Sequence, residues 1–176
     1  MRKKIIFSAF ACVFFASGAH AAKFTVERVG DILQIAIPAM ALGMTIEEPG
    51  WDGTRQFSYG FAASMTTESA FKAVVEDERP NKVNLSSFPS GHTMAAFSGA
   101  TFIHRRYGLE RAALPYLMAA FVGYSRIDSR WHSLDDVVAG AIMSGMWTMA
   151  FAERMVPPVM LSGDTHGAKL SFNFQF

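Results

Sequence analysis

The chain has 176 residues, 51% of them hydrophobic and only 18% charged, with a formal charge of +1. That length suits one domain with a real core, and the apolar content excludes a disordered chain. The near-neutral charge gives no support to nucleic-acid binding, and the single cysteine, Cys12, has no partner for a disulfide.

In chain order, the first element is a leader. Met1-Arg2-Lys3-Lys4 is a basic n-region, residues 5–16 are an apolar h-region, and Ala19-His20-Ala21 reads as an A-x-A cleavage site. Together they predict a secretory signal over residues 1–21 and one domain over 22–176. The apolar run is shorter than the ~20 residues that a membrane span needs. Removing residues 1–21 takes away three basic residues and Cys12, which moves the formal charge to −2. A cysteine nucleophile, an iron–sulfur cluster and a cysteine-ligated zinc are thereby excluded together.

Apolar stretches follow at 32–46, 57–75, 94–103, 112–124 and 137–152, with helical rather than alternating spacing. Stops separate them: Glu47-Glu48-Pro49-Gly50, Arg79-Pro80-Asn81, Tyr107-Gly108 and Pro157-Pro158. The expected fold is all-α, a single helical bundle of about five helices. No charge-free run reaches the ~18 residues that define a span outright, and Glu68 and Lys72 place the second stretch in a bundle interior rather than in lipid. The reading nevertheless leans to membrane association, with the bundle partly embedded. At the end, Leu170, Phe172, Phe174 and Phe176 alternate with polar residues, which predicts a short extended tail or edge strand. The pattern resembles the last strand of an outer-membrane barrel, but one strand cannot close a barrel.

Three segments carry the chemistry. In Lys72-Ala-Val-Val-Glu-Asp-Glu-Arg79-Pro80, a spacing of seven is two helical turns, so Lys72 and Arg79 are expected on one face, with Pro80 ending the helix. In Phe88-Pro89-Ser90-Gly91-His92-Thr93, Ser90 is a good N-cap and Gly91 lets a ligand approach the backbone. A helix opening there would aim free N–H groups and His92 at an anion. In the third segment His132 and Asp136 stand four apart, so a helix would let the carboxylate fix one ring nitrogen and leave the other as a nucleophile. Singly, these have ordinary readings: a solvated helix end, a capped helix with a surface histidine, an i,i+4 pair.

Read together, they match Lys-x6-Arg-Pro, Pro-Ser-Gly-His and Ser-Arg-x5-His-x3-Asp, the last from Ser125-Arg126 through His132 to Asp136. The chain thereby resembles the type 2 phosphatidic acid phosphatase superfamily, which includes bacterial class A acid phosphatases and vanadium haloperoxidases. All eleven fixed positions are present in order between Lys72 and Asp136, a chance match on the order of 20⁻¹¹ per alignment. The departure is a short insert between the first two motifs, residues 81–88. It puts a substrate-covering loop there in doubt, not the chemistry.

The resemblance implies that Lys72, Arg79 and Arg126 hold the phosphate oxygens, with the Ser90 hydroxyl and the Gly91 N–H adding bonds. His132 would attack phosphorus, His92 would serve as acid and then base, and Asp136 would orient His132. No metal or other cofactor is implied. The expected partner is a phosphorylated lipid or a small phosphate ester, at the inner or outer membrane surface and on the periplasmic side; the oligomeric state is left open. A soluble periplasmic acid phosphatase is the alternative, followed by a vanadium haloperoxidase and a helical binding protein with a dead site. The residues 104–106, His-Arg-Arg at a helix end, read as structural.

Overall fold

The computed structural model describes residues 26–155 together with 159–164 and 167–172. The leader read at 1–21, and Phe174 and Phe176 of the alternating terminus, lie outside the described residues. Among the described residues there are five helices: α1 (Val26–Thr45), α2 (Asp52–Val74), α3 (Gly91–Tyr107), α4 (Leu109–Asp128) and α5 (Leu134–Phe151). Where the sequence predicts one extended tail, a hairpin follows, β1 (Val159–Asp164) pairing antiparallel with β2 (Gly167–Phe172). The first strand, Val-Met-Leu-Ser-Gly-Asp, lacks the strict alternation that marks the second.

Helix α3 is the axis of the bundle and touches all four other helices. Its composition explains why: Ala95, Ala96, Ser98, Gly99, Ala100 and Thr101 are buried, and such small side chains let neighbours come close on several faces. A Cβ on Gly99 would lie 2.8 Å from the Pro38 nitrogen of α1, so only glycine fits that crossing. Larger residues fill the spaces between. Phe102, fully buried, packs with Phe57 of α2 and Ala41 of α1, and truncating it to alanine would cost about 3–5 kcal/mol. Ile37, Ala119 and Val122 form a second cluster with Ala96 and Ala100.

Both ends of α3 are capped as its sequence dictates. Ser90 accepts from the Thr93 N–H at the start, and Gly108, at φ 96°, turns the chain directly into α4. Helix α5 begins with a capping box in which Ser133 and Asp136 satisfy each other's backbone N–H groups.

One local expectation is overturned. Lys72 and Arg79 do not share a helix face, because α2 stops at Val74, ahead of Arg79 and Pro80. Glu76, Asp77 and Glu78 would crowd like charges onto the negative end of the helix dipole. The backbone finds other partners instead: the Asp77 N–H donates to Leu85, the Ser87 N–H to Asp77, and the Arg79 N–H to Asn84. Likewise His132 is not on a helix, since α5 starts two residues later.

The outer faces of α1, α4 and α5 keep large apolar side chains at the surface, among them Ile35, Leu117, Ile142 and Met146. Among the described residues, no helix is long and apolar enough to cross a membrane.

Candidate active site

The N-terminal end of α3 opens onto a cavity of about 490 Å³. Of the eight residues singled out in the sequence, six line it: Lys72, Arg79, Gly91, His92, Arg126 and His132. Ser90 and Asp136 are fully buried and do not line it; the Ser90 N–H donates to the Asp136 carbonyl at 3.1 Å. The Ser90 hydroxyl is engaged with Thr93 Oγ1 at 2.9 Å, so it serves the helix cap.

The three cations arrive from three different elements. Lys72 sits in the last turn of α2, paired with Glu68 one turn back. A Cβ on Gly91 would meet Glu68 Oε1 at 2.6 Å, so glycine here makes room for that carboxylate. Arg79 is fixed in its loop by Asn84 Oδ1 (2.8 Å), the Ser86 carbonyl (3.2 Å) and the Trp131 carbonyl (3.3 Å), and lies 5.1 Å over the Trp131 ring. Arg126 lies in the last turn of α4, almost fully buried. It donates to Asp31 Oδ1 (2.9 Å) and the Glu27 carbonyl (2.7 Å) of α1 and to Ser125 Oγ (3.1 Å). Gly30 permits this approach, since a Cβ there would stand 2.9 Å from Arg126 Nη2.

His132 lies between these cations and Asp136. Its N–H donates to the Arg126 carbonyl at 3.2 Å, which folds the segment 127–131 into a tight turn with Arg130 at φ 56°. Burial, the Arg79 charge and Lys72 push its imidazole down to about 4 against the pull of Asp136, so the ring is neutral near pH 7. His132 Nδ1 stands 3.4 Å from Asp136 Oδ2, within ion-pair reach but misaligned for a hydrogen bond. Among the described residues, Nδ1 is one of two buried side-chain polar atoms with no hydrogen-bond partner. Burial works against the charge on Asp136, but the Ser87 hydroxyl at 2.5 Å and the Ser133 N–H at 2.8 Å hold its carboxyl below the usual range. The neighbouring Asp135 is exposed.

His92 sits in the first turn of α3, its Nε2 3.3 Å from Asp31 Oδ1. Burial and the Arg126 charge lower its affinity for a proton, and Asp31 opposes both.

Several wall residues escaped the sequence reading as site residues: Glu27, Asp31 and Gln34 from α1 and Glu68 from α2. Glu68 had a signal in its i,i+4 spacing to Lys72. Asp31 and Gln34 had only their polarity beside an apolar run. Among the described residues, no group of three or more His, Cys, Asp or Glu could hold a metal ion. Chemically, three cations, an anion-facing helix start, a neutral histidine backed by a carboxylate and a second histidine make a site for phosphoryl transfer.

Known proteins bear on this geometry. The chain is 36% identical over 85 residues to a probable lipid phosphate phosphatase 4 of Arabidopsis thaliana, covering 40% of this chain and 27% of that protein. It is 41% identical over 66 residues to a lipid A 1-phosphatase of Porphyromonas gingivalis, covering 36% of this chain and 15% of that protein. It therefore spans less than a third of either relative. A longer match, 23% identical over 145 residues, joins it to a lipid A 4'-phosphatase of Helicobacter pylori, with 76% of this chain and 73% of that protein covered. In three dimensions it resembles the crystal structure of Aquifex aeolicus LpxE, with a TM-score of 0.63 at 19% identity over 82% of this chain and 92% of that one. Residues 53–156, which contain every residue of the three-part signature, match the PAP2 superfamily as a family, and the chain belongs to it.

Proposed function

We propose that this protein is a metal-independent phosphatase that hydrolyses a phosphate monoester or diphosphate of a lipid, outside the cytoplasm, through a phosphohistidine on His132. The observation that carries the reading is the convergence of Lys72, Arg79, Arg126, His92 and His132 on one cavity. The three cations would neutralise the phosphate oxygens, the work a metal does elsewhere, with charge-assisted hydrogen bonds of about 1.5–3 kcal/mol each.

In the first step the His132 lone pair, on the nitrogen away from Asp136, forms a bond to phosphorus. The bond from phosphorus to the leaving oxygen breaks, and His92 gives that oxygen a proton. In the second step water attacks phosphorus, His92 takes its proton, and the nitrogen–phosphorus electrons return to His132. Inorganic phosphate leaves. Asp136 stabilises the positive ring of the intermediate, once a small rotation aligns it with Nδ1.

Two observations favour a lipid over a soluble ester. The matched relatives are named for lipid phosphates. An apolar groove of about 580 Å³ between α1 and α2, lined by Ile35, Pro38, Leu42, Phe57 and Phe61, also shares Gln34 and Ala95 with the cavity. A head group in the cavity would leave its chain in that groove, and the exposed apolar faces of α1 and α5 suit a lipid surface. The secretory leader read in residues 1–21 supports a site outside the cytoplasm.

Acid-stable or base-stable trapping distinguishes phosphohistidine from an acyl phosphate, and mass spectrometry after a base quench should place the phosphate on His132. Turnover should survive EDTA. On a panel of dispersed lipid phosphates and p-nitrophenyl phosphate, a clear preference for the soluble ester would transfer the case to a soluble acid phosphatase. A C-terminal alkaline phosphatase fusion that stays inactive would refute export.

A further inference from the structure

The two histidines are not supported equally by the signature. His132 has Asp136 four residues on, whereas no carboxylate of the signature lines the cavity beside His92. The charged and titratable groups around His92 come from several elements: Asp31 and Glu27 on α1, Lys72 and Glu68 on α2, Arg126 on α4, and Arg79 and His132 from the loops. Of these, Asp31 is the carboxylate within ion-pair distance of the imidazole, at 3.3 Å from Nε2.

We propose that Asp31 is a positioning residue for His92, holding the Nε2 side of the ring from α1 so that Nδ1 is presented to the leaving oxygen. The inference rests on the phosphatase reading for its chemistry and on the geometry for the pairing. Asp31 lies outside residues 53–156, the stretch that matches the family, so no motif led to it.

The physical case has three parts. First, a general acid must carry two ring protons before it gives one away, and a partly buried imidazolium beside Lys72 and Arg126 is disfavoured. A carboxylate at Nε2 offsets that cost. Second, the same contact orients the ring: with Nε2–H on Asp31, the transferable proton is on Nδ1, and after transfer Nδ1 is the lone pair that accepts from water. Third, Asp31 Oδ1 is shared, since Arg126 Nη1 donates to it at 2.9 Å. A phosphate arriving at Arg126 competes for the guanidinium and leaves the carboxylate to His92. Binding of substrate would thus favour the protonated imidazole at the moment it is needed. Gly30, one residue before, lets α1 come close enough to Arg126 for this sharing.

The test is Asp31→Asn, which keeps the shape and removes the charge, read in two ways. By NMR, the His92 imidazole should titrate about one pH unit lower in the variant, a measurement that needs no substrate. In kinetics above pH 6, kcat on an alkyl phosphate should fall roughly 10–100-fold without a rise in KM. The first turnover of p-nitrophenyl phosphate, whose leaving group needs no proton, should be nearly unchanged. Asp31→Glu should restore part of the alkyl-ester rate. An identical His92 titration in wild type and Asp31→Asn overturns the proposal whatever the activity. So does an equal loss on both esters at every pH with a raised KM, which would give Asp31 to Arg126 alone. A wild-type protein inert on all esters, with the His92 shift intact, would instead overturn the phosphatase reading and uphold the pairing.

Discussion

Helix α3 carries a buried arginine–carboxylate cluster near each end, and the two are built to opposite purposes. At the C-terminal end, Arg106 and Glu48 are 7% and 6% exposed, and every nitrogen of the guanidinium has a fixed acceptor. Glu48 takes two of its bonds, Gln56 Oε1 a third at 2.9 Å and the Glu153 carbonyl a fourth at 3.2 Å, while Tyr107 also donates to Glu48. At the N-terminal end, Arg126 is equally buried, but its partner Asp31 is 45% exposed and is shared with His92. His132 Nδ1 is left without a hydrogen bond. A saturated cluster can only hold the bundle together. A cluster with a shared carboxylate, an orphaned nitrogen and an open cavity can exchange partners, which is what chemistry requires.

The largest expected effect separates the two ends. His132→Ala should lower turnover by about 10³-fold or more, because the proposed mechanism passes the phosphoryl group through its ring nitrogen. Its circular dichroism should match wild type. Substantial hydrolysis by that variant would place the chemistry elsewhere.

Arg106→Ala should do the reverse. It leaves Glu48 buried without its cation, a change that typically costs about 3–5 kcal/mol. Thermal or urea unfolding should show this loss, while activity per folded molecule stays near that of wild type. A selective loss of kcat with unchanged stability would erase the distinction between the ends.

Acidity sharpens the contrast further. On the proposed mechanism His132, at about 4 in the folded chain, must lose its proton to attack, so the acid limb of kcat/KM should fall near pH 4. As the proposed general acid, His92, held below the ordinary imidazole value by burial and Arg126, must keep its proton, which puts the basic limb on the acid side of ~6.5. Stability follows the same groups. The unfolded chain binds protons at these histidines first, so their contribution is complete above ~6.5 and declines as pH falls toward 4. The melting temperature should therefore drop more steeply from pH 7 to 4 in wild type than in His132→Gln.

Both clusters also show how far the sequence could be read. The five helices were legible because each apolar stretch has helical spacing and a stop, and Ser90 and Gly108 punctuate α3 as their side chains dictate. The convergence of Lys72, His92, Arg126 and His132 was legible through the signature. What was not legible is long-range or local-geometric. The end of α2 at Val74 depends on a pairing of residues 77–79 with 84–87 that no helical period reveals. Asp31 comes to the site through α1, 95 positions from Arg126. The role of Glu48 likewise requires knowing that the α1–α2 connection passes the end of α3, 58 residues away in sequence. Single acids in such positions look like solvated charges until the fold brings their partners to them.

The smallest expected effect concerns Trp131, which stands between the loop cation and α1. Its ring lies under Arg79 at 5.1 Å, and its Nε1–H donates to Glu27 Oε1 at 2.7 Å. These contacts separate cleanly by substitution. Trp131→Phe keeps an aromatic face for the guanidinium and removes the donor; Trp131→Ala removes both. A cation–π contact at a half-exposed site contributes about 0.5–1 kcal/mol, so the alanine variant should raise KM by several-fold more than the phenylalanine variant, with kcat little changed in either. The reason is that Arg79 keeps its bonds to Asn84 and the Ser86 carbonyl, so it stays in the cavity with a looser grip. If Trp131→Phe instead raised KM as much as Trp131→Ala, the Glu27 hydrogen bond rather than the ring would be what holds Arg79 in register, and the tie between this loop and α1 would matter more than the stack.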